Sequence, residues 1–258
     1  MRGGCKIMEI VLVMNDFQIP FHDEGAIACV EEVMVDLQPD VLVYLGDIFD
    51  FPGLSTKFRR SPDQRYNLKR ELVTGAEIFL RHQRLVPHAR RIYVEGNHEA
   101  RLRNYVIDLA DELAAFTDTN GALSLPKLLR LDEAGIEYVG PYGAAWEHES
   151  FVFKHGDRAT KNTSSAELVA EGTSGISGHT HRGGSTFNTT RSGAHVWYEN
   201  FCLCHARGWK QPPSHVNSGI PNWQQGFSVV YFDGGMFNVY PVVITGGKCI
   251  FGGKKYGS

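Results

Sequence analysis

The sequence predicts an α/β layered protein with two β-sheets, not a single doubly wound sheet. Three observations predict it. In the first half, short apolar runs alternate with stretches whose apolar residues recur at helical spacing. The last quarter is nearly all strand-like. No repeat, linker or low-complexity stretch separates two cores, so residues 1–258 read as one domain. At this length about three quarters of the unfolded surface can be buried, and one core needs no disulfide staple.

The elements follow in order. Residues 7–14 are an apolar run ending at Asn15 and Asp16, a buried strand followed by a loop. Residues 26–37 carry an apolar stripe at 27, 30, 33, 34 and 37, a helix that Pro39 ends. Residues 41–45 are a second strand, followed at once by Gly46 and Asp47. Residues 51–65 are loop-like, and 68–85 form a helix stopped by Pro87. Residues 91–94 are a third strand, and 99–116 a helix with its stripe at 102, 105, 106, 109 and 113. Strands are predicted over 151–154 and 175–177, with a short helix over 166–170 between them. Residues 196–203, 227–232 and 236–243 are later strands, the last two joined by a hairpin at Asp233-Gly234-Gly235. The glycine-rich tail reads as turn and terminus.

Composition excludes several classes. The longest apolar runs span five residues, for example 10–14 and 41–45, whereas a membrane helix needs about 20. The first residues hold no stretch apolar enough for a signal peptide, so a cytoplasmic protein without membrane contact is expected. The 26 Lys+Arg against 29 Asp+Glu give a net charge of −3, which argues against a bulk electrostatic coat for DNA but not against a local basic patch. The five cysteines, at 5, 29, 202, 204 and 249, contain no CxxC and suit reduced thiols. Cys202 and Cys204 could join His195 or His205 in a metal site; burial as small apolar residues is the simpler reading.

The chemistry lies at the strand ends. Five times an apolar run stops and a metal-capable residue follows: Asp16, Asp47, Asn97, His155, and His179 with His181. Ligands collect beyond the carboxyl ends of strands in α/β sheets. Two carboxylates, an amide and three imidazoles in one crevice suit a divalent ion such as Mn, Fe or Zn. Glycines 46, 96, 156 and 178 beside them allow close backbone approach.

The ordered set Asp-x-Gln (16–18), Gly-Asp-x-x-Asp (46–50), Gly-Asn-His-Glu (96–99), His-Gly (155–156) and Gly-His-Thr-His (178–181) resembles the calcineurin-like metallophosphoesterase superfamily. Its Gly96–Arg101 form, and the Phe-His-Asp at 21–23, look most like bacterial and phage-encoded members. The resemblance covers about residues 16–181 and implies a four-layer αββα sandwich with two mixed β-sheets around a two-metal centre. Carried over, Asp16 and His181 would bind the first ion, and Asp47 would bridge. Asn97, His155 and His179 would complete the second. His98 would lie over the substrate, oriented by Asp50, which would favour its imidazolium. The cofactors implied are two divalent ions, with Mn favoured over Fe, Zn, Ni or Mg. Such a pair clamps a phosphate and generates a hydroxide nucleophile at neutral pH.

One position departs from the family pattern, since Gln18 stands where a His is usual. Three readings follow. Gln18 ligates through its amide oxygen, shifting preference toward Mn or Mg. It reaches the ion only through water. Or His22 substitutes for it.

Substrate signals are fewer. Lys57, Arg59, Arg60, Arg65, Lys69 and Arg70 lie in one segment with only Asp63 opposing them. That segment suits a nucleotide or nucleic-acid backbone, or is a solvated surface. Arg101 could hydrogen-bond a phosphate oxygen; Arg103 lies on the same helix. Trp197, Trp209 and Trp223 could stack on a base, with core or rim packing the plainer reading. Phe51, not Arg, follows Asp50, unlike the protein Ser/Thr phosphatases. The expectation is a phosphoesterase acting on a mono- or diester, nucleotide or nucleic acid favoured. The alternatives are a DNA nuclease of the same fold and a catalytically weak phosphate- or nucleic-acid-binding module. Nothing in the sequence specifies an oligomeric state.

Overall fold

The computed structural model describes residues 8–55, 66–118, 120–206 and 221–257. The elements are β1 (Glu9–Met14), α1 (Glu24–Leu37), β2 (Val41–Leu45), α2 (Leu68–Leu85), β3 (Arg90–Val94), α3 (Ala100–Leu109), α4 (Leu125–Leu128), β4 (Ile136–Val139), β5 (Ala145–His148), β6 (Phe151–Lys154), α5 (Thr163–Glu171), β7 (Ser174–Ser177), β8 (Gly183–Thr190), β9 (Gly193–Asn200), β10 (Gln225–Asp233), β11 (Met236–Ile244), β12 (Cys249–Phe251) and β13 (Lys254–Tyr256).

Two mixed sheets result. The first has six strands in the order β11-β10-β1-β2-β3-β4, with β1 to β4 parallel and β10 and β11 antiparallel to their neighbours. The second has five in the order β5-β6-β7-β9-β8, with β6, β7 and β9 parallel. Alternation along each strand decides which core a side chain enters. Val11, Val13, Val41, Val43, Leu45, Ile92 and Val94 meet Phe151, Phe153, Ile176 and Val196 between the sheets. Their neighbours Leu12, Met14, Leu42, Tyr44 and Tyr93 point the other way, against Ile27, Val30, Met34, Ile78 and Phe79 of α1 and α2. Outside the second sheet, Leu168 of α5 covers Val152 and Trp197. The layers are therefore αββα. Strands buried on both faces read as unbroken apolar runs, and each buried Val, Leu or Phe contributes about 1.5–3 kcal/mol.

Local chemistry sets the ends. The Asp23 side chain accepts from the backbone N–H of Gly25 and Ala26 and so caps α1. At the other end Gln38 turns left-handed (φ 50) just before Pro39. Gly234 and Gly235 make the two-residue turn between β10 and β11.

Four expectations need correction. The helix expected over 99–116 breaks at Ala110 (φ −157, ψ 60) and continues as a 3₁₀ turn over Asp111–Thr117. Leu102 reaches the core, but the far end of the stripe finds none: Leu109 and Leu113 are 63% and 40% exposed. The strand expected over 196–203 leaves the sheet after Asn200, where Phe201 turns left-handed (φ 52). The tail is no bare terminus. Its β12–β13 hairpin lays Tyr256 and Cys249 into the core beside α1. Strands β4, β5 and β8 were not expected. No helix among the described residues is long and apolar enough to cross a membrane.

Candidate metal centre

All five predicted strand ends meet at one edge of the sandwich. Asp16, Asp47 and Asn97 follow β1, β2 and β3 of the first sheet; His155, His179 and His181 follow β6 and β7 of the second. Asp16, Gln18, Asp47, His179 and His181 all have positive φ, between 50° and 71°. Non-glycine residues in this region cost energy and cluster at functional sites. Gly96 shows how tightly the loops approach, because a Cβ there would lie 2.3 Å from the Asp47 N and Oδ1.

Around Asp47, its Oδ1 accepts from the His98 backbone N–H at 2.9 Å, and its Oδ2 lies 3.3 Å from His155 Nε2. Asn97 Oδ1 is 3.1 Å from the same His155 nitrogen. The other ring nitrogen, Nδ1, sits 2.9 Å from the Leu45 carbonyl, which leaves Nε2 facing the crevice. The His179 ring is 5.3 Å from that of His155. One ligand atom each from Asp47, His155 and His179 fits within 4.8 Å of the others.

Around Asp16, Oδ1 lies 2.9 Å from His181 Nε2, and Oδ2 accepts from the His179 N–H at 2.9 Å and from Asn15. The Gln18 amide Nε2 is 3.0 Å from Asp47 Oδ2 and 3.4 Å from His181 Nε2. Gln18 therefore joins the cluster. His22 does not, as its Nε2 pairs with Glu24 at 3.0 Å.

The donor set fits divalent cations. Gln18 Oε1 and His179 Nδ1 are buried without hydrogen-bond partners, which is costly unless something else satisfies them. Burial would raise both carboxyls, but His181 brings Asp16 below the usual range and His155 brings Asp47 well below it. Burial would lower the imidazoles. Instead Asp47 raises His155 to about 10 and Asp16 raises His181 to about 9. His179 is lowered to about 4 by burial and by His155, and so is a neutral ligand at pH 7. A cation bound there would take the place of the two imidazolium protons.

Beside the cluster, His98 Nδ1 lies 2.7 Å from Asp50 Oδ1, and Arg101 Nη2 is 3.0 Å from His98 Nε2. Arg101 also donates to the Asp50 carbonyl at 2.6 Å. His98 Nε2 also lies 3.7 Å from Asp47 Oδ2. Arg103 is elsewhere, 3.8 Å from Glu95.

Sequence reasoning missed Glu99. Its Oε2 accepts from the N–H of Asp47 and of Gly96, both at 3.0 Å; Oε1 accepts from the Phe49 N–H at 3.1 Å and the Tyr93 hydroxyl at 2.8 Å. Burial and the Asp47 charge push it up to about 7. The signal was its place, the last residue of Gly-Asn-His-Glu. Cys202 and Cys204 are buried, as the simpler reading expected, and the histidine beside them is neither His195 nor His205. His195 is near Ser192 and His205 near Asp23, whereas Cys202 and Cys204 lie buried beside His181, with Cys204 Sγ 3.9 Å from Nδ1. Trp197 is core, donating to Ser177, while the Trp223 ring meets His181 at 4.1 Å on the rim. Lys69 and Arg70 are exposed on α2. Lys57, Arg59, Arg60, Arg65 and Trp209 lie outside the described residues.

No protein-family model matches the chain. It is similar to the "Gene 54 protein" of Mycobacterium phage D29, 27% identical over 249 residues and covering 92% of this chain and 94% of that one. The protein of the same name from Mycobacterium phage L5 is 26% identical over 260 residues, covering 95% and 98%. Among solved structures, Vacuolar Protein Sorting 29 from Cryptosporidium parvum superposes with a TM-score of 0.50 at 10% identity, covering 98% of this chain and all of that one. That likeness is one of fold: two mixed sheets between helices, the αββα arrangement expected from the sequence.

Proposed function

We propose that the protein is a metal-dependent phosphoesterase that hydrolyses phosphate mono- or diesters, nucleotide or nucleic-acid esters above all, in the cytoplasm. One observation carries this reading: seven oxygen and nitrogen ligands from five strand ends converge beside an Asp–His–Arg cluster. Asp47, Asn97, His155 and His179 would hold one divalent ion, and Asp16, Gln18 and His181 the other, with Asp47 shared. Bound there, the ions supply Lewis-acid polarisation of phosphoryl oxygen and activation of water. Mn suits the mixed donors, and Gln18, a neutral hard oxygen ligand, favours it over softer ions.

The chain's own residues do the rest. Asp50 holds His98 by Nδ1 and fixes its ring over the crevice. Arg101 places its guanidinium next to His98, where it meets charge on the phosphoryl oxygens. His98 Nε2 is the atom that would give a proton to the leaving oxygen. Glu99 holds the Asp47 and Gly96 loops at a fixed spacing. The free, buried Cys29, Cys202, Cys204 and Cys249 support a reducing compartment.

The test strips the protein with chelator, restores Mn, and compares an aryl phosphate monoester with its bis-aryl diester. Mn-dependent turnover is expected, and the preferred ester separates a phosphatase from a phosphodiesterase or nuclease. No turnover and no bound metal would overturn the enzyme in favour of a binding module.

A further inference from the structure

Next to the Asp50–His98 pair lies a cavity of about 300 Å³ walled by Pro20, His22, Tyr66, Arg70, Glu71 and Thr74 among others. It shares structure with the catalytic side: Ile19, also in its wall, accepts through its carbonyl from the Asp50 N–H at 2.9 Å. Three polar atoms in its lining are buried and without hydrogen-bond partners, namely Glu71 Oε2, the Tyr66 hydroxyl and His22 Nδ1. Glu71 is 3% exposed, and no cation pairs with it among the described residues. Unsatisfied buried polar groups are rare and ask for a partner. Burial, then the Asp50 charge, push its carboxyl up to about 8.

The occupant can be argued by elimination. Waters of about 30 Å³ apiece fill such a space until a ligand displaces them. A phosphate would find one cation, Arg70, beside the Glu71 acid. A metal ion would find one carboxyl and the Arg70 guanidinium. A flat heterocycle with ring N–H, ring nitrogen and an amino group matches a carboxyl, a phenol and an imidazole against the proline wall. The volume, at the low end for ligand sites, suits a group of that size.

Building on the phosphoesterase reading, we infer that this cavity seats the substrate's base, an amino-bearing nucleobase (adenine, cytosine or guanine) whose exocyclic amine donates to Glu71. Tyr66 and His22 complete the edge contacts, and uracil, which carries a carbonyl oxygen where the amine would be, cannot make the contact to Glu71 that the amine makes. Rejection of a group that cannot make a built-in hydrogen bond is strong.

The experiment uses the full chain and the probes adenosine, cytidine, guanosine and uridine, titrated with and without Mn. The corresponding nucleotides and phenyl phosphate are then followed for turnover. We expect the amino-bearing nucleosides to bind at least tenfold tighter than uridine. Glu71→Leu should collapse that preference to within twofold, with circular dichroism checking its fold. Tyr66→Phe, which keeps the ring, should weaken binding about threefold. Equal affinity for all four nucleosides, or an unchanged preference in both variants, overturns the assignment. Phenyl phosphate turnover without nucleoside preference fails the cavity alone. Nucleoside preference without any Mn-dependent turnover fails the phosphoesterase reading and leaves the base site standing.

Discussion

Around Asp47, two residues of the set are held from outside it, His155 by the Leu45 carbonyl and Asp47 by the His98 amide, and Asn97 Oδ1 lies 3.1 Å from His155 Nε2; His179 Nδ1 has no partner. Around Asp16 the support is weaker. His181 Nδ1 faces Cys204 Sγ at 3.9 Å, and Gln18 spends its NH₂ on Asp47 while its Oε1 has no partner. Outer contacts orient ligands and tune affinity by 10–100-fold. The comparison teaches where a change of one ligand spreads. The Gln18 side chain touches the half around Asp47 through one contact, its amide Nε2 to Asp47 Oδ2 at 3.0 Å, so a change at Gln18 reaches that half through Asp47 alone.

That contrast can be broken by mutation. The largest effect is expected at the well-supported half. Asn97→Ala or His179→Ala should lower Mn-dependent turnover by more than about 10²-fold while circular dichroism shows the fold intact; full activity in either would sink the site. Next, His98→Ala and Asp50→Asn should each cut kcat by about 10²-fold, the scale of general acid–base help, with Mn stoichiometry unchanged by calorimetry. A smaller effect is expected at the weak half. Gln18→His should tighten the second Mn by about tenfold, and an unchanged titration would place Gln18 outside the ion's reach.

The smallest effect tests the neighbouring cavity through stability. Glu71 has its folded pKa raised to about 8 from the usual 4.5. A raised pKa gives stability that is fully present below the unfolded value and is lost as pH rises through the folded one. Between pH 4.5 and 8 the wild type should therefore lose stability that Glu71→Gln keeps. In chelator, the variant should gain Tm over wild type at pH 8 relative to pH 5, by roughly 2–4 °C for each kcal/mol recovered. A pH-independent difference would mean that the carboxyl is not held protonated.

The site's strand ends were legible because both faces of β1, β2 and β3 are buried, which writes them as unbroken apolar runs with polar residues immediately after. β8 was illegible for the opposite reason, since its residues, GGSTFNTT, are nearly all exposed. Helix α3 looked longer because a stripe of the right period continues past Leu109 with no core to receive it. The metal-facing residues could be found by type and place. Glu99 could not be assigned a role that way, because its work is done on backbone amides of other loops, contacts that leave no side-chain pattern. Glu71 reads as an ordinary first-turn acid of α2, and only packing shows it buried.

The four donors gathered by Glu99 have a consequence for motion. The amides of Asp47, Phe49 and Gly96 lie in loops, where hydrogen exchange is ordinarily fast. Here one buried carboxylate ties all three to a single helix start, so hydrogen exchange at these amides should be slower than their loop positions alone suggest. A ligand arriving at this edge would find the two loops already held together.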